Sequence, residues 1–336
     1  MSWKAPSVPR PSARKHFVMV IPDTHVGYIG DTPTYDMAAW DIAMQALLHY
    51  AERLTHVVFL GDFGNWESCS HWASLRAEQC FIEEDVQLVN TRLDEVWAIT
   101  AANNIKVVFC EGNHEAWAGQ MEAKYPALRD VLNLKRRLRF KERGWTWVPE
   151  NHFWAIGDAH FTHGHLRGVK SPRDMVRITG VSVLYGHTHR YRTESSTNLT
   201  GEHAAWECGC LASLDPPPPY AKGYTPDQWV RGITFVQVRA NGHFQVSFRR
   251  VLGAWTELED GTELRARPQW MERRYAEDQA IRDQLRREYG ERFYHPGGSV
   301  VRTEPHHGKV SKKGEVSPAA RTRRARIVRT LPGITR

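Results

Sequence analysis

The chain has 336 residues, enough for one large domain or two ordinary ones, and its 41% hydrophobic and 25% charged residues are those of a globular protein. No apolar run is long enough to span a bilayer, and the N-terminal MSWKAPSVPRPSARKHF lacks the apolar core of a secretory signal. The net charge of +7 sits almost wholly in 296–336, where ten Lys and Arg face only Glu304 and Glu315, so the rest is close to neutral.

The first 110 residues alternate between two periodicities. HFVMVIPD (16–23) reads as a strand, MAAWDIAMQALLHYAERL (37–54) as a helix, HVVFLGD (56–62) as a second strand, EEDVQLVNTRLDEVWAITAANN (83–104) as a second helix and IKVVFCEGN (105–113) as a third strand. Such alternation predicts βαβ units and a largely parallel sheet, with chemistry gathered at the carboxyl ends of the strands.

From residue 152 onward, short β-like runs recur at HFWAIG, AHFTHG, VSVLYG, HAAWECGCL, WVRGITFVQVRA and HFQVSFRRVL, with a hairpin signal at Asn241-Gly242. The expected fold is α/β: a four-layer αββα sandwich of two mixed sheets with its site at the strand C-terminal ends. A lead-in at 1–15 precedes this body at 16–255. A charged helical extension at 256–295 and a basic tail at 296–336 follow it. In the helix expected over 269–295, Ile281, Leu285, Tyr289 and Phe293 form one apolar stripe suited to packing on the body or on a second chain, which leaves the oligomeric state open.

The five cysteines are odd in number and form no C-x-x-C pair, which with the missing export signal points to free thiols and a reducing cytoplasm. Cys208 and Cys210 read as small buried residues on a strand rather than as metal ligands.

Each predicted core strand ends in a side chain able to bind metal. The first runs into Asp23-Thr24-His25, the second into Gly61-Asp62 and the third into Gly112-Asn113-His114-Glu115. FTHGH then supplies His163, and LYGHTH supplies His187 and His189. In this order the motifs resemble the signature of the calcineurin-like metallophosphoesterases: D-x-H, G-D, G-N-H-[DE], a histidine, and G-H-x-H. The resemblance covers about residues 17 to 250.

The resemblance implies a dinuclear metal centre. Asp23, His25 and His189 would hold one ion, Asn113, His163 and His187 the other, and Asp62 would bridge them. Carboxylate, amide and imidazole ligands without thiolate suit Mn²⁺ first, with Fe²⁺, Zn²⁺, Ni²⁺ and Mg²⁺ as further candidates. His114 is implied as the catalytic side chain, with Glu115 or another carboxylate orienting it. His160 is a weaker candidate than His163.

The resemblance implies a phosphoester substrate, whose class is less legible. The serine/threonine phosphatase pattern V-D-R-G is absent after Asp62, and Asp23 stands where the lariat-debranching relatives carry cysteine. The segment 64–80 brings Trp66, His71, Trp72 and Arg76, which suit stacking on bases and binding phosphate, and His165 with Arg167 suits the rim of the site. The basic tail suits salt-sensitive contact with DNA or RNA. These features point to a phosphodiesterase or nuclease, and the general layout resembles enzymes encoded by bacteriophages. A phosphomonoesterase acting on a protein or metabolite, or a nucleic-acid binding module with a vestigial centre, are the alternatives.

Overall fold

A computed structural model describes residues 14–70, 81–166, 168, 170–198, 201–214 and 228–289. Outside them lie most of the lead-in, His71, Trp72, Arg76, Arg167, Phe293 and the basic tail.

The chain runs through β1 (His16–Ile21), a small hairpin of β2 (Tyr28–Ile29) and β3 (Thr32–Pro33), α1 (Met37–His49), β4 (His56–Phe59), α2 (Ile82–Ala102), β5 (Lys106–Cys110) and α3 (Asn113–Lys124). Next come three short helices, α4 (Arg129–Leu132), α5 (Leu134–Arg137) and α6 (Phe140–Arg143), then β6 (Thr146–Val148), β7 (Trp154–Ile156) and β8 (Ala159–Thr162). The remainder comprises α7 (Ser171–Thr179), β9 (Ser182–Tyr185), β10 (Tyr191–Asn198), β11 (Gly201–Cys208), β12 (Gly232–Val238), β13 (Phe244–Arg250), β14 (Trp255–Glu257), β15 (Glu263–Arg265) and α8 (Pro268–Tyr289).

One sheet has the order β13-β12-β1-β4-β5-β6 and the other β10-β11-β9-β8-β7. In the first, β1, β4, β5 and β6 are parallel while β12 pairs with β1 antiparallel; in the second, β11, β9 and β8 are parallel, flanked by antiparallel β10 and β7. Both sheets are therefore mixed. Asp36 starts α1 by accepting the amide of Ala39 at 2.9 Å, the usual way an orphan N–H of a first turn is satisfied.

Alternation along β1 divides the core. Phe17, Met19 and Ile21 pack with α1, α2 and α8, whereas Val18 and Val20 face Phe161, Leu184 and Cys208 of the other sheet. On the outer side of the second sheet, Met175 and Val176 of α7 cover Val183, Tyr185 and Ala205. The result is helix, sheet, sheet, helix. Each fully buried Val, Leu, Ile or Phe in these layers contributes about 1.5–3 kcal/mol.

α8 docks on the body through part of the expected stripe: Ile281 packs against the core and Leu285 is buried, while Tyr289 is exposed. Asp278 and Arg282, each only 1% exposed, are buried on the same face. The strand Tyr191–Asn198 was not apparent from the sequence, because its residues are polar and its exposed edge has no apolar alternation to reveal it. Cys69, Cys110, Cys208 and Cys210 are free and buried, and burial pushes the Cys69, Cys110 and Cys208 thiols up to about 12. No helix among the described residues is long and apolar enough to cross a membrane.

Candidate metal centre

The parallel strands deliver the site. β1 and β4 pair through Ile21 and Phe59, β4 and β5 through Phe59 and Phe109, and β8 and β9 through Thr162 and Tyr185, so their carboxyl ends lie at one edge of the sandwich. Asp23, Asp62, Asn113, His163 and His187 each follow such an end within three residues.

The loops are locked to one another. The amides of Thr24 and His25 donate to the carbonyl of Asp62 at 3.1 and 3.0 Å, His187 N donates to Asp23 Oδ1 at 2.8 Å, and His114 N donates to Asp62 Oδ1 at 2.9 Å. This cross-bracing holds four expected site residues in the left-handed region: His25 at φ +56°, Asp62 at +47°, His187 at +70° and His189 at +58°. Each such residue costs about 1–2 kcal/mol, and strain of this kind gathers where geometry serves function.

Two glycines permit the close approach. A Cβ on Gly186 would lie 2.1 Å from Asp23 Oδ2, and one on Gly112 would lie 2.2 Å from Asp62 Oδ1. Gly186 is therefore required by the carboxylate packed against it, while the sharp turn off β9 is taken by His187.

Three groups of side chains converge with ligand atoms within 4.8 Å of one another: Asp23, His25 and His189; His25, Asp62 and His114; and Asp62, His163 and His187. Asn113 joins the last group, its Oδ1 3.0 Å from His163 Nε2. His163 Nε2 also lies 3.2 Å from Asp62 Oδ2 and 3.2 Å from His187 Nδ1. On the other side, His25 Nε2 and His189 Nε2 are 3.0 Å apart.

This donor set fits metal ions. Asp23 Oδ2, His25 Nδ1 and His189 Nδ1 are buried without a hydrogen-bond partner among the described residues, an expensive arrangement for a purely structural cluster. The thiols are absent from the groups, so the ligands are of the hard and intermediate kind. Burial holds His25 well below the usual imidazole range, helped by the neighbouring His114 and His189. For His163, burial opposes the charged form, but Asp62 and Asp23 outweigh it and hold the ring up to about 10.

His114 sits between the groups. Its Nδ1 donates to the Asn65 carbonyl at 2.6 Å, its Nε2 lies 4.0 Å from Asp62 Oδ2, and its ring is tilted against Trp117 with centroids 3.9 Å apart. Glu115 does not orient it. Instead, the Glu115 carboxylate accepts the amides of Asp62, Phe63, Gly64 and Gly112 together with the indole N–H of Trp66. Trp66 is fully buried by this contact, which corrects the expectation that it stacks on substrate.

His165 is half-buried two residues beyond His163. His160 Nδ1 lies 3.2 Å from the Ser182 carbonyl, and His160 belongs to none of the converging groups. The sequence reading missed Leu60, whose carbonyl accepts His163 Nδ1 at 2.7 Å, since backbone partners leave no trace in residue type. It also missed Trp229, whose half-buried ring meets His189 edge-to-face with centroids 4.1 Å apart. Trp117 was missed as well, although its place one helical turn after His114 was a signal for it.

A family model described as calcineurin-like phosphoesterase matches residues 18–232. Among solved structures, the nuclease MPE of Pseudomonas putida is similar at 14% identity and a TM-score of 0.28, over 67% of this chain and 84% of that one. TT1561 of Thermus thermophilus is similar at 7% identity and a TM-score of 0.27, over 70% of this chain and 99% of that one. No curated protein matches the chain. Since the family match covers well over half of the chain and takes in every strand end from Asp23 to His189, the chain belongs to the calcineurin-like phosphoesterases and is a metal-dependent phosphoric ester hydrolase.

Proposed function

We propose that the chain is a phosphodiesterase acting on nucleic acid or nucleotides, with two divalent cations at its centre. The observation that supports this most directly is the meeting of two ligand groups at Asp62, with Asp23, His25 and His189 on one side and Asn113, His163 and His187 on the other. In this reading Asp23, His25 and His189 would hold one ion and Asn113, His163 and His187 the other, with Asp62 serving both and Mn²⁺ the first candidate among Mn²⁺, Fe²⁺, Zn²⁺, Ni²⁺ and Mg²⁺. Bound there, the ions would supply Lewis acidity and lower the pKa of the attacking water.

The protein's own groups orient the reaction. The Asn65 carbonyl fixes the His114 ring through Nδ1, which turns Nε2 toward the site. Burial holds His114 below the usual imidazole range, so the proton it would give to the leaving oxygen depends on Asp62, the Asn65 carbonyl and the negative charge of a bound phosphoester, which favour the protonated ring. The Glu115 carboxylate ties the Asp62 loop to the start of α3, so that Asp62 and His114 keep their separation.

Nucleic acid or nucleotide as the substrate class is supported by the basic composition of 296–336 and by the indole of Trp229 beside His189, an aromatic surface suited to a base. The test is hydrolysis by metal-free protein resupplied with Mn²⁺, run in parallel on bis-p-nitrophenyl phosphate, p-nitrophenyl phosphate and labelled single-stranded and duplex DNA. Cleavage of the diester and of DNA supports the proposal. Cleavage of the monoester alone overturns the diesterase reading in favour of a phosphomonoesterase, and DNA binding without any hydrolysis favours a vestigial centre.

A further inference from the structure

The helix α8 lies far along the chain from the residues of the candidate centre, and its buried face carries Asp278 and Arg282 beside Leu285. Asp278 Oδ2 accepts the hydroxyls of Tyr28 at 3.2 Å and Tyr35 at 2.8 Å, and Asp278 Oδ1 accepts Arg92 Nη2 at 2.5 Å. One turn further on, Arg282 donates to Glu84 Oε1 at 2.8 Å, to the Gly30 carbonyl at 2.5 Å and to Asp31 at 3.3 Å, with its guanidinium 4.4 Å from the centre of the Tyr28 ring. All the contacts to residues 28–35 fall on the β2–β3 hairpin and its exit.

That hairpin leads directly out of the Asp23–His25 loop. Thr34 Oγ1 donates to the His25 carbonyl at 2.5 Å, Thr34 N donates to the Gly27 carbonyl at 2.9 Å, and Leu211 N holds the Asp23 carbonyl at 2.8 Å. His25 is in the left-handed region, a conformation that persists only where the surroundings over-determine it. The hairpin supplies one of those constraints, and α8 fixes the hairpin.

We infer that α8 is a positioning element for the metal centre: Asp278 and Arg282 clamp the Tyr28–Tyr35 segment, which through Thr34 holds His25 in the backbone conformation needed to present its imidazole beside His189. This rests on the reading that Asp23, His25 and His189 hold a metal ion. Buried ionic contacts of this kind are sensitive to change, because removing one partner leaves an uncompensated buried charge. The residue just before α8 has an anchor away from the hairpin, where Arg267 binds Asp41 of α1 with Nη2 2.5 Å from Oδ1, and this provides a control.

The experiment uses full-length, metal-free protein titrated with Mn²⁺ by calorimetry, with urea unfolding run on the same samples. Wild type is expected to bind two ions. Asp278→Asn and Thr34→Val are expected to raise the Kd of one of the two by about tenfold or more, the usual scale for supports of metal ligands, and to leave the other within twofold. Asp41→Asn is expected to lower the urea midpoint while leaving both Kd values within twofold. Thr34→Val leaves the ionic cluster intact and decides the matter if Asp278→Asn fails to fold. The inference is overturned if Thr34→Val and a folded Asp278→Asn bind Mn²⁺ as Asp41→Asn does. Wild type that binds no Mn²⁺ would instead overturn the metal reading, and the clamp with it.

Discussion

Gly186→Ala isolates the metal centre without altering any proposed ligand. The new methyl carbon would sit 2.1 Å from Asp23 Oδ2 and 3.1 Å from its Cγ. Ordinary carbon–oxygen contact begins near 3.4 Å, so the carboxylate must retreat by about 1.3 Å or the β9 turn must open by as much. The retreat is opposed on several sides, since Asp23 is fully buried, its Oδ1 accepts His187 N and its carbonyl accepts Leu211 N. Overpacking of this kind costs about 1–3 kcal/mol. A displacement of about 1 Å at a reacting centre lowers turnover roughly a hundredfold. The assay is Mn²⁺-dependent hydrolysis of bis-p-nitrophenyl phosphate together with calorimetric Mn²⁺ affinity. Gly180→Ala serves for comparison: its Cβ meets nothing within 4 Å but its φ of +65° is unfavourable to alanine, so it is expected to lose about 1 kcal/mol of stability and no activity. Gly186→Ala protein with wild-type turnover and Mn²⁺ affinity would refute the argument that Asp23 and the β9 turn are packed to function together.

Replacing His114 by alanine is expected to lower turnover about 10²- to 10⁴-fold while leaving Mn²⁺ stoichiometry unchanged, and a parallel loss of metal would instead make His114 a ligand. Glu115→Gln turns one acceptor oxygen into a donor facing N–H groups, so a loss of about 1–3 kcal/mol in urea unfolding is expected, and an unchanged midpoint would count against the Glu115 brace. Burial, with the charges of His16 and Lys106, holds His56 down to about 4. Because the folded state disfavours its protonation, His56 contributes stability that is complete above its unfolded value near 6.5 and is lost as pH falls toward 4. Wild type should therefore lose up to about 2 kcal/mol more than His56→Gln between pH 7.5 and 5.0, and equal losses in the two proteins would contradict this.

The sequence by itself determined the layers and the identity of the converging groups. Strands buried on both faces are apolar along their buried lengths, as in FVMVI and the VVF of β4, and a chain that ends such strands in Asp, Asn or His with adjacent glycines shows its chemistry locally. The tertiary structure decided what no local pattern encodes. Trp66 and Trp229 are both tryptophans near glycines, yet one is buried on Glu115 and the other lies half-buried against His189, because partners distant in sequence compete for them. Glu115 follows His114 in the chain but serves the Asp62 loop, since the start of α3 turns its side chain back toward the amides left open beyond β4. The stripe of Ile281 and Leu285 showed which face of α8 docks, but Asp278 and Arg282 on that face read as solvated residues of a polar helix until Tyr28, Tyr35, Arg92 and Glu84, 186 to 250 residues away, supply the partners that let their charges be buried.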